Sequence, residues 1–330
     1  MEIARAILMA TPSTQDEPWS SVGSGPKPLV PVATKPILFH TLDALRAAGV
    51  LEVALLTEPQ TAPAFEAAVG DGERWGMSIL YQECEADSDV RNALGVARDF
   101  VDSEPVLVQR ADAILRECLR GHIVGFARED IDALAIMLKR APTAPQLPPL
   151  AGGYLLSPQA VSIMLAGPTA HDPLARLRRL GNQVRVLDVE GCLACHGGES
   201  SLLEANRHAL HDIVTDVAGV ALDDCAIQGS VIIHPTATLQ NTLVRGPAII
   251  GPGSRLVDSY VGPYTSIGTD VRIEGTEIEH SIVMDGAQLL FVGSRLETSI
   301  IGRRASIVRR FDMPSAVRMS IGDGATVALS

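Results

Sequence analysis

The sequence predicts two architectures in tandem: an α/β, Rossmann-like domain over residues 1–216 and a left-handed parallel β-helix of hexapeptide repeats over residues 217–330. Three observations carry this expectation. Strand-like and helix-like segments alternate up to about residue 214, which is the rhythm of βαβ units. Beyond residue 220, aliphatic residues recur every five or six positions, the signature of a solenoid. Trp, Tyr and Phe make up only 4% of the 330 residues, whereas Gly and Pro number 29 and 21. The core must therefore be aliphatic and the turns many.

Taken in order, Ala4 to Ala10 is the first strand, ended by the turn Thr11-Pro12. Pro36 suits a first helical position; Ile37, Leu38, Leu42 and Leu45 then share one helix face, and Gly49 stops the helix. Glu52 to Thr57 is the next strand. Ser78 to Gln82, the helix Val90 to Val101 and the strand Pro105 to Asp112 repeat the pattern, which predicts a parallel sheet with helices on both faces. Ala133 to Lys139 and Gly152 to Leu156 are further strands, separated by the Pro-rich link Pro142 to Pro149. Ser157-Pro158 opens another helix. A last strand, Gln183 to Val189, meets a turn from Gly191 to Gly198, and Leu202 to Val214 is an amphipathic helix that bridges to the second half. There, Ile233, Ile250, Ile267, Val283 and Ile301 mark successive coils. Each coil has three short strands that turn one aliphatic side chain inward.

Composition excludes several function classes. The chain carries 27 Lys and Arg against 39 Asp and Glu, a net charge of −12, which argues against nucleic acid or an anionic membrane as the main partner. No run of about 18 apolar residues is present, and the N-terminus lacks the pattern of an export signal. A cytoplasmic location is expected. Five scattered cysteines, an odd number, read as reduced thiols.

Several segments resemble one family closely. Gly25-Pro26-Lys27-Pro28-Leu29-Val30-Pro31-Val32, followed by Lys35-Pro36-Ile37-Leu38, is similar to a signature of the sugar-1-phosphate nucleotidyltransferases. Val106 to Leu115 resembles their strand that ends in a metal-binding Asp, here Asp112. Gly153 to Pro158, Leu203 to Arg207 and the stretch Ser259 to Gly268 resemble later parts of the family's long form, so nearly the whole chain is covered. The resemblance implies in-line attack of a sugar-1-phosphate oxygen on the α-phosphate of a nucleoside triphosphate, with Mg²⁺ stabilising charge and pyrophosphate leaving.

The chain departs from the family at the residues that do the chemistry. Where the family has Gly-Gly-x-Gly-Thr-Arg, this chain has Ala10-Thr11-Pro12-Ser13-Thr14-Gln15. No glycine remains, Pro12 removes an N–H donor and Gln15 replaces a guanidinium. Asp16 and Glu17 follow and oppose a triphosphate. Asp87-Ser88-Asp89-Val90-Arg91 replaces the base-recognition turn, and the stretch from Lys139 to Ala151 has lost the Glu-Lys-Pro motif. Cys195 aligns with the family's second metal-binding Asp. The resemblance leaves Thr11, Ser13, Thr14, Gln15, Lys27 and Asp112 as candidate ligand-binding residues. Lys27 is the catalytic candidate and Asp112 the Mg²⁺ ligand; the plain readings are a solvated loop lysine and a strand-end turn former.

Cys192, Cys195 and His196 match the spacing of a c-type haem attachment, which needs export that the N-terminus does not support. With His208 and His211 they also offer ligand types suited to Zn²⁺, against the plain alternative of small buried thiols. His234 and His280 lie in the solenoid, a fold that also carries acyltransferases, but in stretches similar to the family's assembly tail.

The expected function is a non-catalytic or strongly impaired homologue acting in ligand binding, regulation or assembly. The alternative is an active nucleotidyltransferase with a remodelled phosphate loop and an unusual substrate. A nucleotide or sugar phosphate is the expected small-molecule partner, with Mg²⁺ when a nucleotide is bound. The expected assembly is a homo-oligomer, or a hetero-assembly with an active paralogue.

Overall fold

The structure is a computed structural model and describes residues 4–12, 25–86, 88–102, 104–129, 131–139, 150–167, 174–196 and 198–309. Eight strands form the central sheet: β1 (Arg5–Met9), β2 (Glu52–Thr57), β3 (Ser78–Glu83), β4 (Val106–Arg110), β5 (Ala113–Leu115), β6 (Ala133–Lys139), β7 (Leu150–Leu156) and β8 (Val184–Leu193). Their order is β3-β2-β1-β4-β7-β6-β8-β5. β3, β2, β1 and β4 run parallel, as the βαβ rhythm predicts. β7 runs antiparallel to both β4 and β6, and β5 antiparallel to β8, so the sheet is mixed and not wholly parallel. Strand polarity follows from the path of the connections, which hydrophobic periodicity does not encode.

Alternate residues of each strand feed the two faces of the sheet. On one face Ala6, Leu8, Val53, Leu55 and Leu107 pack against the helix α1 (Ile37–Ala48), α2 (Ala62–Val69) and α5 (Arg120–Arg128). On the other, Ile7, Ala54, Leu56 and Val108 meet α3 (Val90–Val96), α6 (Pro158–Leu165) and α7 (Ala175–Arg179). The predicted helix from Val90 to Val101 is interrupted at Ala97 and resumes as α4 (Arg98–Val101). Helix starts and stops follow their sequence chemistry. Asp89 and Ser157 accept hydrogen bonds from the Asn92 and Ala160 N–H groups, and Gly49 closes α1 with φ 97°. α8 (Gly198–Leu210) begins and ends four residues earlier than the apolar spacing predicts. β8 continues to Leu193, through the first part of the segment read as a turn. The Pro-rich link lies outside the described residues.

The second half is a parallel β-helix built from three stacked sheets of six, five and five short strands. The strands that carry Ile233, Ile250, Ile267, Val283 and Ile301 form one of these sheets, paired in register from coil to coil. All five side chains join one interior cluster with Leu239, Leu256, Ile273 and Leu289. Asp216 already pairs in parallel with Ile232. Among the described residues no helix is long and apolar enough to cross a membrane.

α8 joins the two halves. Leu202 and Ala205 pack with Val32 and Ile37 on one side and with Ile282 and Met284 of the β-helix on the other. Asn206, 1% exposed, sits in this layer. Its Oδ1 accepts from the Ala33 N–H at 2.8 Å, and its Nδ2 donates to the Tyr264 carbonyl at 3.0 Å.

Candidate functional site

The parallel strands β1, β2 and β4 release their chains at the same edge of the sheet, the place where open α/β sheets bind ligands. Thr11 follows β1, Glu58 follows β2, and Arg110 and Asp112 lie at the end of β4. Together with Lys27 and Cys195 they line a cleft of about 180 Å³. Lys27 opens a short 3₁₀ turn, Lys27–Leu29, set by the Pro26 and Pro28 on either side of it. The next residues form a two-strand hairpin, Pro31–Val32 with Lys35–Pro36, which turns at Ala33 and Thr34.

Asp112 is the most constrained residue of the cleft, with 3% of its side chain exposed. Arg110 engages it as a fork: Nε donates to Oδ1 at 2.8 Å and Nη2 to Oδ2 at 3.2 Å. The Cys195 N–H donates to Oδ2 at 3.0 Å. Burial alone would push this carboxyl up. The Arg110 charge and hydrogen bonds, with those of Cys195, outweigh it and hold the carboxyl below the ordinary Asp value. Asp112 is thus held ionised, with three donors on its two oxygens, the Arg110 fork and the Cys195 N–H.

Backbone pairing fixes this arrangement. The Ala194 N–H donates to the Asp112 carbonyl at 3.0 Å, and β8 pairs with β5 directly before it, with Gly191 opposite Leu115. A Cβ on Gly191 would lie 2.4 Å from the Ile114 carbonyl oxygen. Gly191→Ala is expected to force the strands apart and cost about 1–3 kcal/mol. Urea denaturation checks this, and an unchanged midpoint would show that the strands yield freely.

The structure brings together four of the residues singled out in the sequence, Thr11, Lys27, Asp112 and Cys195. Ser13, Thr14 and Gln15, with Asp16 and Glu17, lie outside the described residues. The zinc reading of Cys192, Cys195 and His196 finds no support in the geometry. β8 directs the Cys192 thiol into the layer beneath α8, where it packs with Ala194 and Leu202. Burial, then the Glu204 and Asp112 charges, push that thiol well above its usual value, the reverse of a metal-binding thiolate. Neither Cys192 nor His196 lines the cleft. Among the described residues no three His, Cys, Asp or Glu side chains converge as metal ligands, and none of the five cysteines is in a disulfide.

Arg110, Glu58 and Thr61 are cleft residues that the sequence reading missed. For Arg110 a signal was present. Arg110 closes a mainly apolar strand and Asp112 follows two positions on, and opposite charges so spaced pair when buried.

Residues 22–146 match the protein family described as Nucleotidyl transferase. A glucose-1-phosphate thymidylyltransferase from Streptomyces griseus is 30% identical over 92% of this chain and 94% of its own length. The chain belongs to the sugar-1-phosphate nucleotidyltransferase family. A low-salt glycan biosynthesis nucleotidyltransferase from Haloferax volcanii is 28% identical over 93% of this chain and 95% of its own. A crystal structure of a putative glucose-1-phosphate thymidylyltransferase from Bacillus anthracis, in complex with a sucrose, shares the fold. Its TM-score is 0.51 at 19% identity, over 64% of this chain and 97% of that one.

Among the described residues, those of the cleft do not fit the Mg²⁺ that the family resemblance implies. Asp112 is engaged by the Arg110 fork and the Cys195 N–H, and the residue held beside it carries a thiol. A divalent ion about 4 Å from the Arg110 guanidinium would meet a repulsion of roughly 8 kcal/mol at an effective dielectric of 20, twice the value for unit charges.

Proposed function

We propose that this sugar-1-phosphate nucleotidyltransferase homologue has lost, or retains only weakly, the transfer of nucleotidyl groups. Its cleft then serves ligand binding or regulation in sugar-nucleotide metabolism. The observation that carries this reading is the Arg110–Asp112–Cys195 cluster, in which the aligned metal carboxylate is committed to an arginine. The glycine-free sequence from Ala10 to Gln15 supports it independently, because a phosphate cradle needs close backbone N–H donors. The chain is proposed to act in the cytoplasm as an oligomer assembled through the hexapeptide-repeat β-helix, alone or with an active paralogue.

The test is pyrophosphate release from a panel of nucleoside triphosphates and sugar-1-phosphates with Mg²⁺. No turnover above background is expected, and ordinary enzymatic rates with any pair would overturn the proposal.

A second reading, an active transferase with a remodelled loop, is favoured by the shared placement of Thr11, Lys27 and Asp112 in one cleft. It requires turnover that Asp112→Ala abolishes.

A further inference from the structure

A second pocket, of about 250 Å³, opens at the seam between α8 and the β-helix. None of its lining residues lines the cleft. Leu203 and Arg207, one turn apart on α8, belong to one wall. Tyr264, His280 and Thr298 occupy the same corner of three successive coils and form the other wall with Glu297. The bond from Asn206 Nδ2 to the Tyr264 carbonyl ties α8 to this corner, so the spacing of the walls is set by the fold.

The two walls carry opposite charges that do not meet. Arg207 has one ion contact, from Nη2 to Glu204 Oε1 at 3.8 Å, which is beyond hydrogen-bond distance. Glu204 also faces His208 at 3.8 Å and belongs to the pairing within α8. The Glu297 carboxylate takes part in no ion pair or hydrogen bond among the described residues. Between the charges lie Leu203 and the rings of Tyr264 and His280, whose centroids are 5.5 Å apart at a tilt of 31°. Rings this close touch each other, so a ligand lies against the pair and not between its members. A guanidinium and a carboxylate held on facing walls, beside an apolar and aromatic surface, complement a small molecule that itself carries both charges. A simple anion would meet Glu297, and a simple cation would meet Arg207.

We propose that this seam pocket binds a free α-amino acid, whose carboxylate takes the Arg207 guanidinium, whose ammonium donates to Glu297 and whose side chain lies against Tyr264, His280 and Leu203. The planar guanidinium matches a carboxylate with two parallel donors. The site is independent of what the cleft does, since it shares no residue with it.

Calorimetric titration of the full-length protein with the protein L-amino acids, each supplied singly at neutral pH, tests the site. At least one is expected to bind, one molecule per chain. The same ligand without its carboxylate, as the amine, or without its ammonium, as the acid, is expected to bind about tenfold more weakly or worse. Arg207→Met and Glu297→Gln are each expected to weaken the amino acid by a similar factor. Arg207→Lys, which keeps the charge without the fork, is expected to weaken it by less. Both side chains are exposed, so these variants keep the fold. No binding by any amino acid overturns the proposal, as does binding that both variants leave unchanged. An amine or an acid that binds as tightly as its parent amino acid also overturns it, because the pocket would then be reading one charge and not two.

Discussion

Arg110→Met is expected to destabilise the folded chain by about 3–5 kcal/mol at neutral pH, the cost of leaving a buried charge without its partner. Asp112 is the partner, with the Arg110 fork at 2.8 and 3.2 Å. In the wild type the carboxyl is held below its ordinary value, so the pair contributes stability above the unfolded Asp value of about 3.9. That contribution is lost as the pH falls through the lower folded value. In the variant, burial acts without the guanidinium and raises the carboxyl above its unfolded value. The sign then reverses, and the deficit is full at neutral pH and shrinks as the pH falls through the raised value. Urea denaturation of both proteins at neutral and mildly acidic pH reads the two curves. A deficit that is small and independent of pH would show that Asp112 is not held as an ion by Arg110.

Asn206→Leu is expected to cost about 1–3 kcal/mol for the buried backbone group that it strips of a partner, and less for a second, part-buried one. The groups are the Ala33 N–H and the Tyr264 carbonyl, one on each side of α8. Leu keeps the branched, four-heavy-atom shape of the Asn side chain, so no cavity is left and the loss reports hydrogen bonding together with any overpacking. Because the two bonds tie the hairpin after Lys27 to the β-helix through one side chain, the variant is also expected to open the α8 layer to limited proteolysis. Cleavage at the wild-type rate together with an unchanged unfolding midpoint would show that the two halves are held by the apolar layer alone.

The β-helix was legible because its inward aliphatic side chains recur every five or six residues along the chain. Ile233, Ile250, Ile267, Val283 and Ile301 stack in one sheet for that reason. In the α/β half, α1, β2 and β6 were readable where Gly49 or an unbroken aliphatic run marks the limits. The reversed direction of β7 was not, since its residues have the same periodicity in either direction. α2 and α5 also went unread. α2 is short and rich in Ala, with Phe65 and Val69 as its buried residues. α5 carries two glycines, Gly121 and Gly125, which weaken a helix reading although Ile123 and Phe126 lie on one buried face.

The cleft was legible where the family resemblance reached it, at Thr11, Lys27, Asp112 and Cys195. What the resemblance could not supply was Arg110, because no family role is attached to that position. Burial supplies it instead, for an ionised carboxylate at 3% exposure needs a counter-charge. Cys192 shows where spacing alone leaves two readings open, metal ligand and small buried thiol. Its spacing to Cys195 and His196 suggested ligands, yet the alternation of β8 sends its thiol beneath α8.

The most direct test of the account is whether Asp112 takes a metal or keeps its arginine when both a divalent ion and a nucleotide are offered. Crystals grown with Mn²⁺ and a nucleoside triphosphate, measured at the manganese absorption edge, answer this by position. The account predicts no anomalous peak at Asp112 and an intact fork from Arg110. A manganese peak on the Asp112 carboxylate, with the Arg110 guanidinium turned away, would contradict it.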